Sequence, residues 1–221
     1  VRHLIITSSG AAYGYHADNP VPLRESDPLR GNPEFPYAHH KRLIEEKLAA
    51  FRQTHPELKQ LVLRPGTILG RNTDNRITSL FHQPVILGIA GYETPFVFLW
   101  DEDVVEIVVR GICNRVEGIF NLAGDGTLSL RDIARLTGKR YLPIPPVLFR
   151  LLLATTRLLG LSASGPEQLI FLQYRPVLAN DKLHQQFPFD PRMTTQEVFE
   201  YYWQARKGSP HGSASPSTRP S

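Results

Sequence analysis

Apolar residues in this chain fall into two alternating patterns. Leu4-Ile5-Ile6, Leu61-Val62-Leu63, Phe96-Val97-Phe98-Leu99 and Gly118-Ile119-Phe120-Asn121-Leu122-Ala123 are short runs bounded by turn residues, and they read as buried strands. Between them the apolar positions recur at helical spacing. Leu43, Ile44, Leu48 and Phe51 give one face to a helix over residues 36–51. Val104, Val105, Ile107, Val108 and Ile112 do the same after Asp101-Glu102-Asp103, whose carboxylates suit the positive end of a helix dipole. Ser129 with Asp132 predicts a capped helix to Leu136, closed by Gly138, and Thr194 with Glu197 caps a last helix through Val198, Phe199, Tyr202 and Trp203. A further helix is expected from Val147 to Leu161, after Pro143-Ile144-Pro145-Pro146. Residues 71–95 carry mixed signals and predict a loop with one short helix. Residues 207–221, rich in Gly, Ser, Pro and Thr, are expected to be a disordered tail.

Buried strands alternating with helices argue an α/β architecture. Leu4-Ile5-Ile6 needs neighbours on both sides to be buried, yet almost nothing precedes it and no Met begins the chain. The expectation is a fragment, or a start placed too late, whose first strand would expose an edge.

Composition narrows the class. With 221 residues, 41% hydrophobic and 21% charged, the chain fits a soluble globular protein of one domain or slightly more. The net charge of +4 is scattered and no nucleic-acid motif accompanies it, so no nucleic-acid partner is expected. One cysteine, Cys113, excludes an internal disulfide framework and suits a reducing cytoplasm; it reads as a small buried residue. No signal peptide is expected in Val1-Arg2-His3-Leu4-Ile5-Ile6, which is too short for an apolar leader core and runs into a polar loop. The tract from Val147 to Leu161 is broken by Arg150, Thr155, Thr156 and Arg157 and is shorter than the ~20 residues of a membrane span. It packs in a small lobe by default, with lining an apolar pocket or touching a membrane surface as the alternatives.

The chemistry concentrates in Pro36–Phe51. Tyr37 and Lys41 stand four residues apart, on one helix face. A free tyrosine titrates near ~10, and an adjacent ammonium favours its phenolate. Alone, the pair is weak evidence, and a helix start carrying a solvated lysine is the better reading of it. His39 and His40 point about 100° apart on a helix and lack further ligands at suitable spacing, so no metal is expected. Gly124-Asp125-Gly126 lacks the third glycine of a dinucleotide fingerprint and reads as a tight turn into a helix. Asp101 with Asp103, and Glu45 with Glu46, read as helix-start and surface charges.

Four motifs in order carry a resemblance: Thr7-Ser8-Ser9-Gly10-Ala11-Ala12-Tyr13-Gly14, Tyr37-Ala38-His39-His40-Lys41, Leu63-Arg64-Pro65-Gly66-Thr67-Ile68-Leu69-Gly70, and Gly118-Ile119-Phe120-Asn121-Leu122-Ala123-Gly124. Over about residues 1–205 the chain resembles the C-terminal two-thirds of an extended short-chain dehydrogenase/reductase of the NAD-dependent epimerase/dehydratase type. The resemblance implies a partial Rossmann-type, doubly wound parallel sheet with a small mixed C-terminal substrate lobe. Residues 1–124 would be the later part of the cofactor domain, with 71–95 contributing to the substrate lobe at 125–206. Ser9, Tyr37 and Lys41 would be catalytic. Ser8, Tyr37, Lys41, Pro65, Gly66, Thr67 and Ile68 would face NAD or NADP. Tyr37 would pass a proton, Ser9 would hydrogen-bond the same oxygen, and Lys41 would lower the Tyr37 pKa and hold the ribose.

The implied function is an NAD(P)-dependent epimerase or reductase acting on a nucleotide-activated sugar. The alternatives are a sterol-type or other apolar-alcohol dehydrogenase, and a noncatalytic NADPH-binding sensor, which intact Ser9, Tyr37 and Lys41 argue against. Gly10 and Ala11 stand where a 4,6-dehydratase carries an acidic pair, which disfavours that activity. Trp100 stands where family members often have histidine. The glycine-rich first turn and the acidic ribose-binding residue of the family are not in this sequence, so weak NAD binding by this chain alone is expected. A homodimer through the 37–51 helix is also implied.

Overall fold

A computed structural model describes residues 1–158 and 168–207. The end of the helix expected to reach Leu161, and the tail beyond Lys207, lie outside the described residues.

Three strands form a parallel sheet in the order β1 (His3–Thr7), β2 (Lys59–Pro65), β6 (Gly118–Leu122). Ile5 lies beside Leu61, and Leu63 beside Phe120. The strands read as continuous apolar runs because both faces of β2 are covered: Gln60 through Pro65 are all buried. Helix α3 (Asp101–Cys113) supplies Ile107 against Leu61, Leu63, Phe120 and Leu122, and α7 (Asp181–Gln186) adds Leu183. Each such side chain contributes about 1.5–3 kcal/mol when fully buried. Gly111 is what lets α3 come so near: a Cβ there would meet the Leu61 side chain at 2.5 Å. The far face carries α1 (Pro36–Thr54), which begins at a proline suited to a first helical turn and buries Ala38 and Glu45.

After Pro65 the chain breaks at Gly66 and resumes as β3 (Thr67–Leu69), which pairs in parallel with β5 (Phe98–Trp100). Residues 71–95 hold more than the expected loop and helix. Helix α2 (Arg76–His82), capped by Asn75, is followed by β4 (Val85–Ile89), which pairs in parallel with β7 (Arg140–Ile144). Neither strand was legible, because Gly88 interrupts one and Pro143 the other, and their partners lie far apart in sequence. Helix α4 (Leu130–Thr137) has the expected Ser129–Asp132 capping box and ends at Gly138 in the left-handed conformation. The α5 helix (Pro146–Leu158) and the short α6 (Gln168–Gln173) precede α7. The last helix, α8 (Thr195–Lys207), begins where the Thr194 hydroxyl and backbone N–H both reach the Glu197 carboxylate. Phe81, Phe96, Phe98, Phe199 and Tyr202 form one aromatic core joining α2, β5 and α8.

Three readings are corrected. Glu45 is not a surface charge but lies buried against Arg64. Asp103 is fully buried and accepts from the Arg192 side chain at 2.6 Å and its backbone N–H at 2.9 Å. Cys113 is exposed, at the end of α3.

Candidate functional site

The C-terminal ends of β1 and β2 and the start of α1 converge on a cavity of about 830 Å³. Its wall includes Ser8, Ser9, Tyr37, Lys41, Pro65, Gly66, Thr67 and Ile68, so the residues expected from the sequence border one space, although the Ser8 hydroxyl is turned away from it. Open parallel sheets place ligands at this end of their strands.

β1 ends by handing its backbone to a 3-10 turn, Gly10–Tyr13. The buried Ser9 caps it, its Oγ accepting from the Ala11 N–H at 3.1 Å. That contact uses an acceptor lone pair and leaves the Ser9 O–H to donate elsewhere. Ser8 points the other way: its N–H donates to the Leu63 carbonyl at 2.7 Å, and its hydroxyl donates to Glu45. Tyr37, in the first turn of α1, is 60% exposed. One turn on, Lys41 Nζ donates to the Thr7 carbonyl at 2.8 Å and stands 5.7 Å from the Tyr37 ring centre. At the break between β2 and β3, Gly66 donates to the Leu122 carbonyl at 2.9 Å. A Cβ on it would meet Val97 Cγ2 at 2.8 Å, so only glycine lets this backbone lie so close to its neighbour.

Below the cavity lies a closed polar network. The Glu45 carboxylate accepts from Arg64 Nε at 2.9 Å and Nη2 at 2.6 Å. Arg64 Nη1 donates to the Tyr13 hydroxyl at 2.7 Å and the Glu25 carbonyl at 3.1 Å, while the Tyr13 hydroxyl lies 2.8 Å from Asn121 Oδ1. Burial pushes the Tyr13 hydroxyl up to about 12 against the pull of Arg64. Burial also works against the Arg64 charge, yet Glu45 and Tyr13 hold its pKa above the ordinary arginine value.

Several cavity residues carried no signal in the sequence. Tyr15 and Phe35 meet edge to face at 5.2 Å, and Tyr15 also leans on Phe171. Arg175 sits with its guanidinium 4.0 Å from the Phe96 ring and 4.6 Å from Phe171. Its Nη2 donates to Thr67 Oγ1 at 3.2 Å, while Nε and Nη1 are buried without a partner. Burial pushes it down to about 10, which still leaves it charged at neutral pH. Among the described residues no group of three or more His, Cys, Asp or Glu is placed to hold a metal ion.

The family model of the NAD dependent epimerase/dehydratase family matches residues 1–123, more than half of the chain. The chain belongs to this family. An uncharacterized protein of Mycobacterium tuberculosis H37Rv is 23% identical over 210 residues, covering 95% of this chain and 56% of its own. A second uncharacterized protein of that strain is 30% identical over 155 residues, covering 68% of this chain and 16% of its own. The chain thus spans little more than half the length of the first of these relatives. Among solved structures, dTDP-glucose 4,6-dehydratase of Bacillus anthracis in complex with NAD matches with a TM-score of 0.66 at 14% identity, over 93% of this chain and 61% of that one. The UDP-glucose 4-epimerase of Thermus thermophilus, also with NAD, gives 0.65 at 21% identity, over 95% and 65%. At these identities the likeness establishes the α/β fold.

Proposed function

We propose that the cavity takes the nicotinamide end of NAD or NADP together with a nucleotide-activated sugar, and that the protein is an epimerase or reductase using Ser9, Tyr37 and Lys41. The bound nicotinamide would give or take the hydride. The chain's own groups fit that task. Ser9 has its O–H free to donate to the reacting oxygen, and the exposed Tyr37 hydroxyl can pass that oxygen its proton. Lys41 spends one of three donors on Thr7, which leaves two for the hydroxyls of a ribose. Gly66 lets the β2–β3 break beneath them pack closely on Val97. We assign the substrate lobe to residues 125–206 with 71–95.

The observation that favours a nucleotide sugar over an apolar alcohol is Arg175. A buried guanidinium with two unpartnered nitrogens, Nε and Nη1, is costly opposite a hydrocarbon and well matched to a diphosphate.

Binding of NADH and NADPH, measured by calorimetry on this chain and on any longer protein that contains it, tests the reading. Lys41→Ala is expected to weaken the cofactor about tenfold, as loss of charge-assisted hydrogen bonds does. Absence of cofactor binding in every such protein, or an unaltered affinity in Lys41→Ala, would overturn it.

A further inference from the structure

The α5 helix is apolar on both sides. Its inner face puts the buried Phe149 into a core with Ile89, Leu169 and Leu172. Its outer face leaves Val147 77%, Leu148 56% and Leu151 60% exposed, and these three fall within one turn of each other. The neighbouring strand pair extends the patch, because Leu87 of β4 and Leu142 of β7 lie side by side in register and both are exposed. A helix with more apolar surface than its own fold covers needs something else to cover it.

Charge says what that something is. Residues 133–166 contain Arg135, Lys139, Arg140, Arg150 and Arg157 and no Asp or Glu. Arg140 and Arg150 are exposed beside the patch, and the exposed Arg131 lies over the Tyr141 ring of β7. A second copy of the chain docking here about a twofold axis would set this basic face against itself. An anionic surface would meet it with opposite charge. No helix among the described residues is long and apolar enough to cross a membrane, so the fitting geometry is a helix lying in the interface.

A second cavity ties this face to the candidate site. It has a volume of about 350 Å³, and Leu87, Phe149, Leu130 and Ile86 are among its mostly apolar walls. Leu80 and Leu172 line both it and the main cavity. Leu87 thus belongs to the exposed patch and to a pocket that shares a wall with the proposed catalytic space.

We propose that the α5 face, with the edge of the β4–β7 pair, is a docking surface for an anionic lipid bilayer, which holds the apolar side pocket against the lipid. The proposal goes beyond the catalytic reading and does not depend on it.

Co-sedimentation with vesicles tests it, using phosphatidylcholine with and without phosphatidylserine. The protein is expected to bind the vesicles that contain phosphatidylserine and to be released by added salt. Leu148→Glu with Leu151→Glu should lower the bound fraction about tenfold with unchanged far-ultraviolet circular dichroism. Should that variant fail to fold, Arg140→Gln with Arg150→Gln serves instead; it leaves the apolar residues alone and should also release the protein severalfold. Absence of vesicle binding, or equal binding to phosphatidylcholine alone, would overturn the proposal. So would a dimer in sedimentation equilibrium that Leu148→Glu with Leu151→Glu converts to a monomer. Turnover enters none of these readings, so a failed catalytic assignment and a failed docking surface are told apart.

Discussion

Two arginines flank the cavity and have opposite surroundings. Arg64, beneath it, is joined to Glu45 with both side chains only 4% exposed, and its remaining donors reach Tyr13 and the Glu25 carbonyl. Arg175, in the wall, has aromatic rings on its faces and one hydroxyl partner, with the nitrogens Nε and Nη1 left over. Both guanidiniums have lost much of their water. For Arg64 the protein supplies the replacement. For Arg175 it does not, and burial lowers its pKa instead of a carboxylate raising it. A buried charge satisfied from within holds the fold; one left unsatisfied beside a cavity is suited to an incoming anion.

This contrast separates residues that serve the fold from residues proposed to serve a ligand. The largest effect is expected at Tyr37. Its side chain is exposed, so Tyr37→Phe should leave the urea unfolding midpoint in place while turnover falls about 10²–10⁴-fold, the range general acid–base catalysis supplies. A shifted midpoint with intact turnover would reverse the assignment. Arg64→Met should do the opposite. It leaves Glu45 buried without its partner and is expected to cost about 3–5 kcal/mol in urea unfolding. Loss of less than about 1 kcal/mol would mean that Glu45 finds water or another donor.

The smallest effect concerns pH. His184 lies between Asp190 at 2.9 Å and Asp125 at 3.0 Å. Burial opposes its charge, but the hydrogen bonds to the two carboxylates outweigh this and raise its pKa above the ordinary histidine value. Because the folded value is the higher one, the stabilisation is fully present below the unfolded pKa near ~6.5 and is lost as pH rises through the folded value. The difference in unfolding midpoint between the wild-type protein and His184→Gln should therefore shrink as pH rises across that window, whatever other groups contribute to the slope. An unchanged slope in the variant would remove His184 from the account.

The parts of the candidate site that the sequence pointed to are local. Ser8-Ser9, Tyr37 with Lys41, and Pro65 to Ile68 each sit within one turn or strand end, where spacing alone fixes the relation between side chains. Arg175 was not legible, because its partner Thr67 is 108 residues away. Glu45 was misread for the same reason: beside Glu46 on a largely polar helix it looks solvated, and only Arg64 from β2 explains its burial. In the fold, the apolar runs of β1, β2, β5 and β6 marked themselves. The β4–β7 pair did not, since Gly88 and Pro143 disguise it and its pairing spans the chain from Val85 to Arg140. The α5 helix was legible as a helix, but which of its faces stays uncovered was not.

The most direct test of the contrast is calorimetric titration of UDP-glucose, with NAD present, into the wild-type protein and Arg175→Met. The expected result is an affinity about ten- to a hundredfold lower in the variant, with the unfolding midpoint unchanged or raised. Equal affinity in the two proteins would contradict it, and Arg175 would then be one more structural charge like Arg64.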